Sequence, residues 1–179
     1  MQCVGEPYPA IRKAQQLTSE TVPGTGMAVI SDIGLEFDIH PKKKQPVGHR
    51  LALQAVSRIY GEKEVLCEAP TLIDGTVRDG ELQLIFGNTG DGLYLAEMTP
   101  DQVQTEPDKV GGLVIILNGE TMDAQELSAT AHGDTVVIHH PSFKEGSSVR
   151  VTLGCSAWYR INLYNSARIP ARPSEIVIQ

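Results

Sequence analysis

The chain has 179 residues, of which 41% are hydrophobic and 21% are charged. This composition is ordinary for a globular protein and excludes wholesale disorder. Lys and Arg total 15 against 22 Asp and Glu, so the formal net charge is −7 with neutral histidines. A negative surface repels phosphate backbones, and we expect no nucleic-acid partner. The longest apolar run, residues 113–117, is far shorter than the ~20 residues that span a bilayer, and we expect no membrane partner.

The first 64 residues have a helical pattern with one apolar strand. Apolar side chains recur at helical spacing from Ala10 to Leu17, which predicts a short helix followed by a loop over 18–26. Residues 27–30 have no polar position and predict a strand that is buried on both faces. A second helix is predicted over about 43–60, with an apolar stripe formed by Val47, Leu51, Ala52, Ala55, Val56 and Ile59. This order is typical of one piece of an α/β layer structure.

From about Leu66 the hydrophobic period changes to two. Residues 76–78 and 81–86 flank the dipeptide Asp79-Gly80, which predicts a hairpin with a tight turn. Other strands are predicted at 92–96, 112–117, 127–131, 135–138, 148–153 and 161–164, with a hairpin turn at 132–134. Short strands between Gly, Asp and Asn turns favour an antiparallel β-sandwich over residues 65–179. The predicted fold class is therefore α+β, with a domain boundary near residue 64.

The segment from 31 to 41 joins the predicted strand to the second helix and carries two aspartates beside a histidine. Loops at the carboxyl ends of buried strands often hold catalytic groups, and Pro41 favours an extended backbone at His40. In an extended chain, side chains two residues apart point the same way, roughly 6.6 Å apart. Asp38 can therefore orient the His40 imidazole as the general base of a Ser-His-Asp triad. Asp32, at the end of the predicted strand, is the alternative carboxylate.

Several motifs resemble the last conserved stretch of the sialate O-acetylesterase family, a group of SGNH-type carbohydrate esterases. The resemblance is tight over 27–61 and loose from 66 to 150. Its motifs include Asp38-Ile39-His40-Pro41, Arg50-Leu51-Ala52-Leu53 and Ile59-Tyr60-Gly61, and, near the far end, Asn162-Leu163-Tyr164-Asn165 and Ile169-Pro170-Ala171. The resemblance implies that residues 1–64 are the edge of a flavodoxin-like α/β (SGNH) domain and that 65–179 are its terminal β-sandwich.

The resemblance also implies an activity, the hydrolysis of O-acetyl esters on sialic acid or acetylated glycans without a metal or cofactor. His40 would be the general base and Asp38 its carboxylate, with the serine supplied by segments that precede this chain. No Gly-Asp-Ser, Gly-Gln-Ser or Gly-x-Ser-x-Gly block occurs, and Ser147 is the only serine that follows a glycine. We therefore expect the carboxyl-terminal part of an acetylesterase, inactive alone or nearly so. The family implies a secreted, periplasmic or lysosomal location, although no signal-peptide pattern is visible.

A second hypothesis is that the stable unit is the sandwich, a non-catalytic accessory or carbohydrate-binding module with a scaffold remnant at residues 1–61. Independently of this choice, Trp158 and Tyr159 could stack on a sugar, with packing in the core as the alternative. The run Lys42-Lys43-Lys44 is expected to be solvated, with the carboxylate of an acidic sugar as the alternative target.

An isolated strand at 27–30 would leave backbone groups unpaired. We therefore expect the amino-terminal segment to lie over the sandwich, or the strand to pair in a homodimer or with a complementary chain.

The cysteines and histidines form no pattern typical of a metal site. The three cysteines are far apart, which favours separate thiols, with a Cys67–Cys155 disulfide as the alternative in an exported protein. His139 and His140 are adjacent in a predicted strand and point to opposite faces, so at most one of them can join His132.

Overall fold

The computed structural model describes residues 8–38, 40, 42–96 and 108–179. In these ranges two helices precede ten strands: α1 (Tyr8–Thr21), α2 (Gln45–Arg58), β1 (Thr71–Arg78), β2 (Glu81–Gly87), β3 (Leu93–Leu95), β4 (Leu113–Leu117), β5 (Glu120–Thr121), β6 (Ser128–His132), β7 (Thr135–His139), β8 (Val149–Leu153), β9 (Leu163–Asn165) and β10 (Ser174–Ile178). Neither helix in the described part is long and apolar enough to cross a membrane.

The strands form two four-stranded sheets, in the orders β1-β2-β7-β6 and β10-β8-β4-β5, and a two-stranded ribbon of β3 and β9. Alternate side chains of both larger sheets enter one shared core. Leu82 and Leu84 of β2 and Val149 and Val151 of β8 are at most 1% exposed, and fully burying each such side chain contributes about 1.5–3 kcal/mol. The antiparallel β-structure predicted after residue 65 is confirmed.

Both predicted hairpins form where the sequence places their turns. β1 and β2 are joined by Asp79-Gly80, and β6 and β7 by Gly133-Asp134. Gly80 and Gly133 have positive φ angles of 80° and 59°, a conformation that glycine adopts without a Cβ clash. The two-residue strand β5 and the carboxyl-terminal strand β10 were not predicted from the sequence. Strand β10 pairs with β8 along its whole length.

The strand predicted at residues 27–30 does not form, and none of the ten described strands lies beside this segment. Side chains of helix α2 donate hydrogen bonds to the backbone carbonyls of this segment instead. The Arg50 guanidinium donates to the Val29 carbonyl at 2.9 Å, and the Gln54 amide donates to the Met27 carbonyl at 3.5 Å. A strand requires a neighbouring strand to satisfy its backbone groups. The apolar run correctly indicated burial of Val29 but was wrong about the secondary structure.

The helix boundaries differ from the predicted ones at one end. Helix α1 continues to Thr21, where a loop was predicted from residue 18. The hydroxyls of Thr18 and Thr21 donate to carbonyls four residues earlier at 2.8 and 2.7 Å, which lets these polar residues stay in the helix. Helix α2 lies within the predicted range, and Pro46 occupies its first turn, where no backbone N–H is required.

Helix α2 buries polar side chains and exposes apolar ones. Arg50 and Gln54 are 5% and 8% exposed, whereas Leu51 and Ile59 are 54% and 73% exposed. An amphipathic helix normally buries its apolar face. The predicted apolar stripe is therefore not the most buried face of the helix: Leu51, Ala52 and Ile59 are exposed, and Val47, Ala55 and Val56 are half-buried.

The amino-terminal segment lies over the sandwich, and the contacts are mostly polar. The Arg12 guanidinium donates to the backbone carbonyls of Ser156 and Ala157, and the Gln54 amide donates to the Cys67 carbonyl at 2.6 Å. The apolar part of the contact is a small cluster centred on Val29, Ala69 and Ile169. The first of the two expected arrangements is thus observed, while the division at residues 64 and 65 stays a prediction.

Candidate active site

The loop of residues 31–40 begins in the interior and ends at the exposed His40. Its first three residues are buried, whereas Phe37 is 87% exposed. Near the end of the loop, Oδ1 of Asp38 accepts a hydrogen bond from the backbone N–H of His40 at 2.8 Å. This hydrogen bond links the two residues that the sequence predicts as a catalytic pair.

The structure brings Asp38 and His40 together without bringing the carboxylate to the imidazole. Among the described residues, the imidazole of His40 makes no hydrogen bond or ion pair, and the contact with Asp38 goes through the backbone. Catalytic hydrogen bonds often tighten only when substrate binds, so the pairing of these side chains stays a prediction. Pro41, expected to hold His40 extended, lies outside the described residues.

Asp32 has a different environment from Asp38. Its buried carboxylate faces the buried guanidinium of Arg50, with Oδ1–Nη1 and Oδ2–Nη2 distances of 2.7 Å each. A two-pronged Arg–carboxylate pair is the strongest and most directional arrangement of these groups. Arg50 also donates to the carbonyls of Val29 at 2.9 Å and Arg168 at 3.2 Å. One side chain therefore joins helix α2, the loop and the β9–β10 connection.

Tyr164 completes the surroundings of Asp32. Its hydroxyl donates to Oδ2 of Asp32 at 3.4 Å. Burial, reinforced by the nearby Asp32 carboxylate, raises the pKa of Tyr164 well above its ordinary value, so the phenol stays neutral and keeps its proton for donation. The ring of Tyr94 stacks on that of Tyr164, with the centroids 5.6 Å apart.

Tyr159 belongs to the core of the protein. It is 4% exposed, and the Arg12 guanidinium lies 5.2 Å from the centroid of its ring. A Cβ atom built on Gly112 or Gly154 would approach this ring to 2.7 or 2.6 Å, which shows how closely the backbone packs on it. Burial raises the pKa of Tyr159. The predicted sugar contact therefore rests on Trp158, which is only half-buried.

The remaining histidines and cysteines have local partners or none. His139 and His140 each lie 3.6 Å from a glutamate, and no cluster of three or more His, Cys, Asp or Glu in the described residues is placed to hold a metal ion. Cys67 is buried and Cys155 is exposed, and both are free thiols. The alternative Cys67–Cys155 disulfide is not formed.

A cavity of about 610 Å³ lies beside Asp32 and Tyr164. Two of its polar side chains already have partners: the Lys109 amine donates to three carbonyls of the β5–β6 connection, and the Asn162 side chain bonds the backbone of residues 109 and 111. Ala96 and Asp108, which flank the undescribed residues 97–107 in the sequence, are among the residues that line it. We assign no ligand to this cavity.

Arg50 is a site residue that was not predicted from the sequence. It appeared only as the first position of the motif Arg50-Leu51-Ala52-Leu53, with no role attached. One signal was available. Arg50 and Gln54 are four residues apart and so share one face of the helix, away from the apolar stripe. A polar pair of this kind, repeated on one face of a helix, is compatible with a buried polar network.

Comparison with solved structures finds a similar protein, a carbohydrate acetylesterase from Xanthomonas citri, with a TM-score of 0.66 and 29% sequence identity. The match covers 96% of this chain and 36% of the acetylesterase chain, so this chain spans about a third of the neighbour's length. No protein-family model matches the chain, and the search of curated proteins finds no match. The similarity supports the relationship to carbohydrate esterases that the motifs predict.

Proposed function

We propose that this chain is the carboxyl-terminal part of a carbohydrate acetylesterase of the sialate O-acetylesterase type. The observation that carries the proposal is the structural similarity to a carbohydrate acetylesterase over 96% of the chain. The motif around His40 and the closing motif near Asn165 support it from the sequence. In this proposal residues 1–64 form one edge of an SGNH-type catalytic domain.

The proposed reaction uses His40 as a general base toward a serine on another stretch of polypeptide. The imidazole removes the proton of the serine hydroxyl while the serine oxygen attacks the acetyl carbonyl. The tetrahedral intermediate then collapses, and the imidazolium protonates the departing sugar oxygen. Water activated by His40 next hydrolyses the acetyl-serine to acetate and free serine. Asp38 orients the imidazole and stabilises its charged form.

The outward apolar face of helix α2 supports the idea that the catalytic domain is completed by other polypeptide. Leu51 and Ile59 are more than half exposed, and Phe37 in the loop is almost fully exposed. Contiguous exposed apolar surface typically marks an interaction site. We propose that the serine-bearing part of the domain packs on this face.

An acidic sugar suits the surroundings of His40. Lys42, Lys43 and Lys44 are all exposed directly after it, in a chain whose net charge is −7. A cluster of cations next to the general base would attract the carboxylate of a sialic acid. This favours an O-acetylated sialic acid over a neutral acetylated sugar as the substrate.

The test is a chimera in which this chain replaces the matching 36% of the Xanthomonas acetylesterase chain. We expect it to release acetate from acetylated sugars, faster from O-acetyl sialic acid than from a neutral acetylated sugar. His40→Ala should lower turnover by roughly 10³-fold or more, whereas His49→Ala, an exposed histidine on helix α2, should not. Equal turnover in the two variants would contradict the role of His40.

The alternative function is a carbohydrate-binding or accessory module, which the self-contained core of the two larger sheets favours. Trp158→Ala would then abolish binding of sugar to the isolated chain, as measured by calorimetry. The esterase proposal does not require Trp158 for binding of sugar to the isolated chain.

A further inference from the structure

We infer that Arg50 and Asp32 form a positioning pair for the loop that carries His40, and that Asp32 is therefore not the carboxylate that orients the imidazole. The inference rests on the proposed esterase function for the catalytic role of His40. The anchoring itself follows from the contacts of Arg50 alone.

Arg50 binds the first residues of the loop, and the segment just before them, through several hydrogen bonds. Two go to the carboxylate of Asp32, at 2.7 Å each, and one goes to the carbonyl of Val29, at 2.9 Å. Helix α2 carries the guanidinium, and both the acid and the base of this pair are 5% exposed. Charge-assisted bonds in such a site are short, directional and poorly replaced by water. The beginning of the loop is therefore fixed to the helix.

Arg50 also binds the turn that follows β9. Its Nη2 donates to the carbonyl of Arg168 at 3.2 Å, and Arg168 has a φ of 60°, a left-handed conformation that a residue with a side chain rarely adopts. Asn165, which is fully buried, accepts hydrogen bonds from the backbone N–H groups of Ala167 and Ile169 within the same turn. The turn is thus built to present a carbonyl to Arg50. The start of the loop at Asp32 and the turn at Arg168, which are far apart in the sequence, are thus both hydrogen-bonded to the Arg50 guanidinium.

Asp32 is committed to this anchor and is poorly placed to orient an imidazole. Each of its oxygens accepts from a different nitrogen of Arg50, and Oδ2 also accepts from the Tyr164 hydroxyl. To reach an exposed histidine, the carboxylate would have to leave a buried guanidinium without its counter-charge, which is strongly unfavourable. Asp38 already contacts the backbone of His40 and keeps its second oxygen for the imidazole.

The first test uses this chain alone and hydrogen exchange measured by mass spectrometry. Arg50→Met and Asp32→Asn should speed exchange in peptides covering residues 27–38 and 163–171 by roughly tenfold or more, and by a larger factor than in the β2–β7 pair. Arg50→Lys should fall between these variants and the wild type. Arg150→Met, which removes an exposed ion pair with Glu175, is the control and should leave both regions unchanged. Unchanged exchange in the two regions, or an equal rise everywhere in Asp32→Asn, would overturn the anchoring.

The second test uses the chimera and the pH dependence of kcat/KM. Asp32→Asn should lower kcat roughly tenfold with KM and the midpoint of the acidic limb unchanged, because the imidazole keeps its carboxylate. Asp38→Asn should move that midpoint to lower pH, because the imidazolium loses its counter-charge. A shift in Asp32→Asn and none in Asp38→Asn would overturn the assignment. If the chimera lacks esterase activity, the proposed function fails while the exchange test still decides the anchoring.

Discussion

The outward face of helix α2 allows a sharp prediction from two substitutions, Leu51→Glu and Ile59→Glu. In this chain alone both side chains are more than half exposed. We therefore expect each variant to lower the free energy of unfolding by no more than about 1 kcal/mol. If the face is covered by the serine-bearing part of a catalytic domain, the same substitutions should be costly there.

The cost can be worked from the exposed fractions. Complete burial of a Leu or Ile side chain contributes about 1.5–3 kcal/mol, and the exposed parts here are 54% for Leu51 and 73% for Ile59. Docking should therefore contribute about 1–2 kcal/mol for each side chain. Glutamate would lose this contribution and also place a charge in an apolar contact. The double variant should destabilise the chimera by more than about 2–4 kcal/mol.

The assay is urea-induced unfolding of the isolated chain and of the chimera, with His49→Glu as the control on the same helix. His49 is exposed and lies outside the apolar stripe, so its substitution should matter little in either protein. Equal effects of the double variant on the two proteins would refute the idea that this face is an interface. So would a chimera that tolerates both glutamates.

Three other predictions concern single sites. Arg50→Met should lower the free energy of unfolding of the isolated chain by about 3–5 kcal/mol, because it leaves a buried carboxylate unpaired; a loss below about 1 kcal/mol in urea titration would contradict this. Cys155 should react with a thiol reagent and Cys67 only after unfolding. Burial and Glu175 raise the pKa of Cys155, so its reaction rate should keep rising with pH beyond the range of an ordinary thiol. Gly111→Ala should cost more than about 1 kcal/mol, because its Cβ would lie 2.0 Å from the Arg160 carbonyl oxygen.

The β-strands that depend on local signals could be predicted from the sequence. Asp79-Gly80 defines a turn by its own chemistry, and alternation along Leu82, Leu84 and Phe86 gives the inward face of β2. The strand at residues 27–30 could not be judged in the same way. An apolar run reports burial, whereas a strand also depends on a neighbour that the local sequence does not specify.

The sequence predicts where the candidate site lies but not which hydrogen bonds and ion pairs connect its residues. The motif around His40 indicates where the general base lies. The role of Arg50 depends on partners that are 18 and 118 residues away along the chain, and the polar pair of Arg50 and Gln54 on one helix face does not specify which partners these are. For the same reason, the choice between Asp32 and Asp38 could be argued only after the ion pair of Asp32 was visible.

The most direct measurement of the central claim, that this chain holds the imidazole half of a triad and no serine nucleophile, is active-site labelling of the isolated chain. A fluorophosphonate reagent modifies activated serines and can be followed by intact mass. We expect no stoichiometric adduct and no acetate release, because Ser147 is buried in a loop of the sandwich. A single adduct on any serine of this chain, accompanied by hydrolysis of an acetyl ester, would contradict the claim.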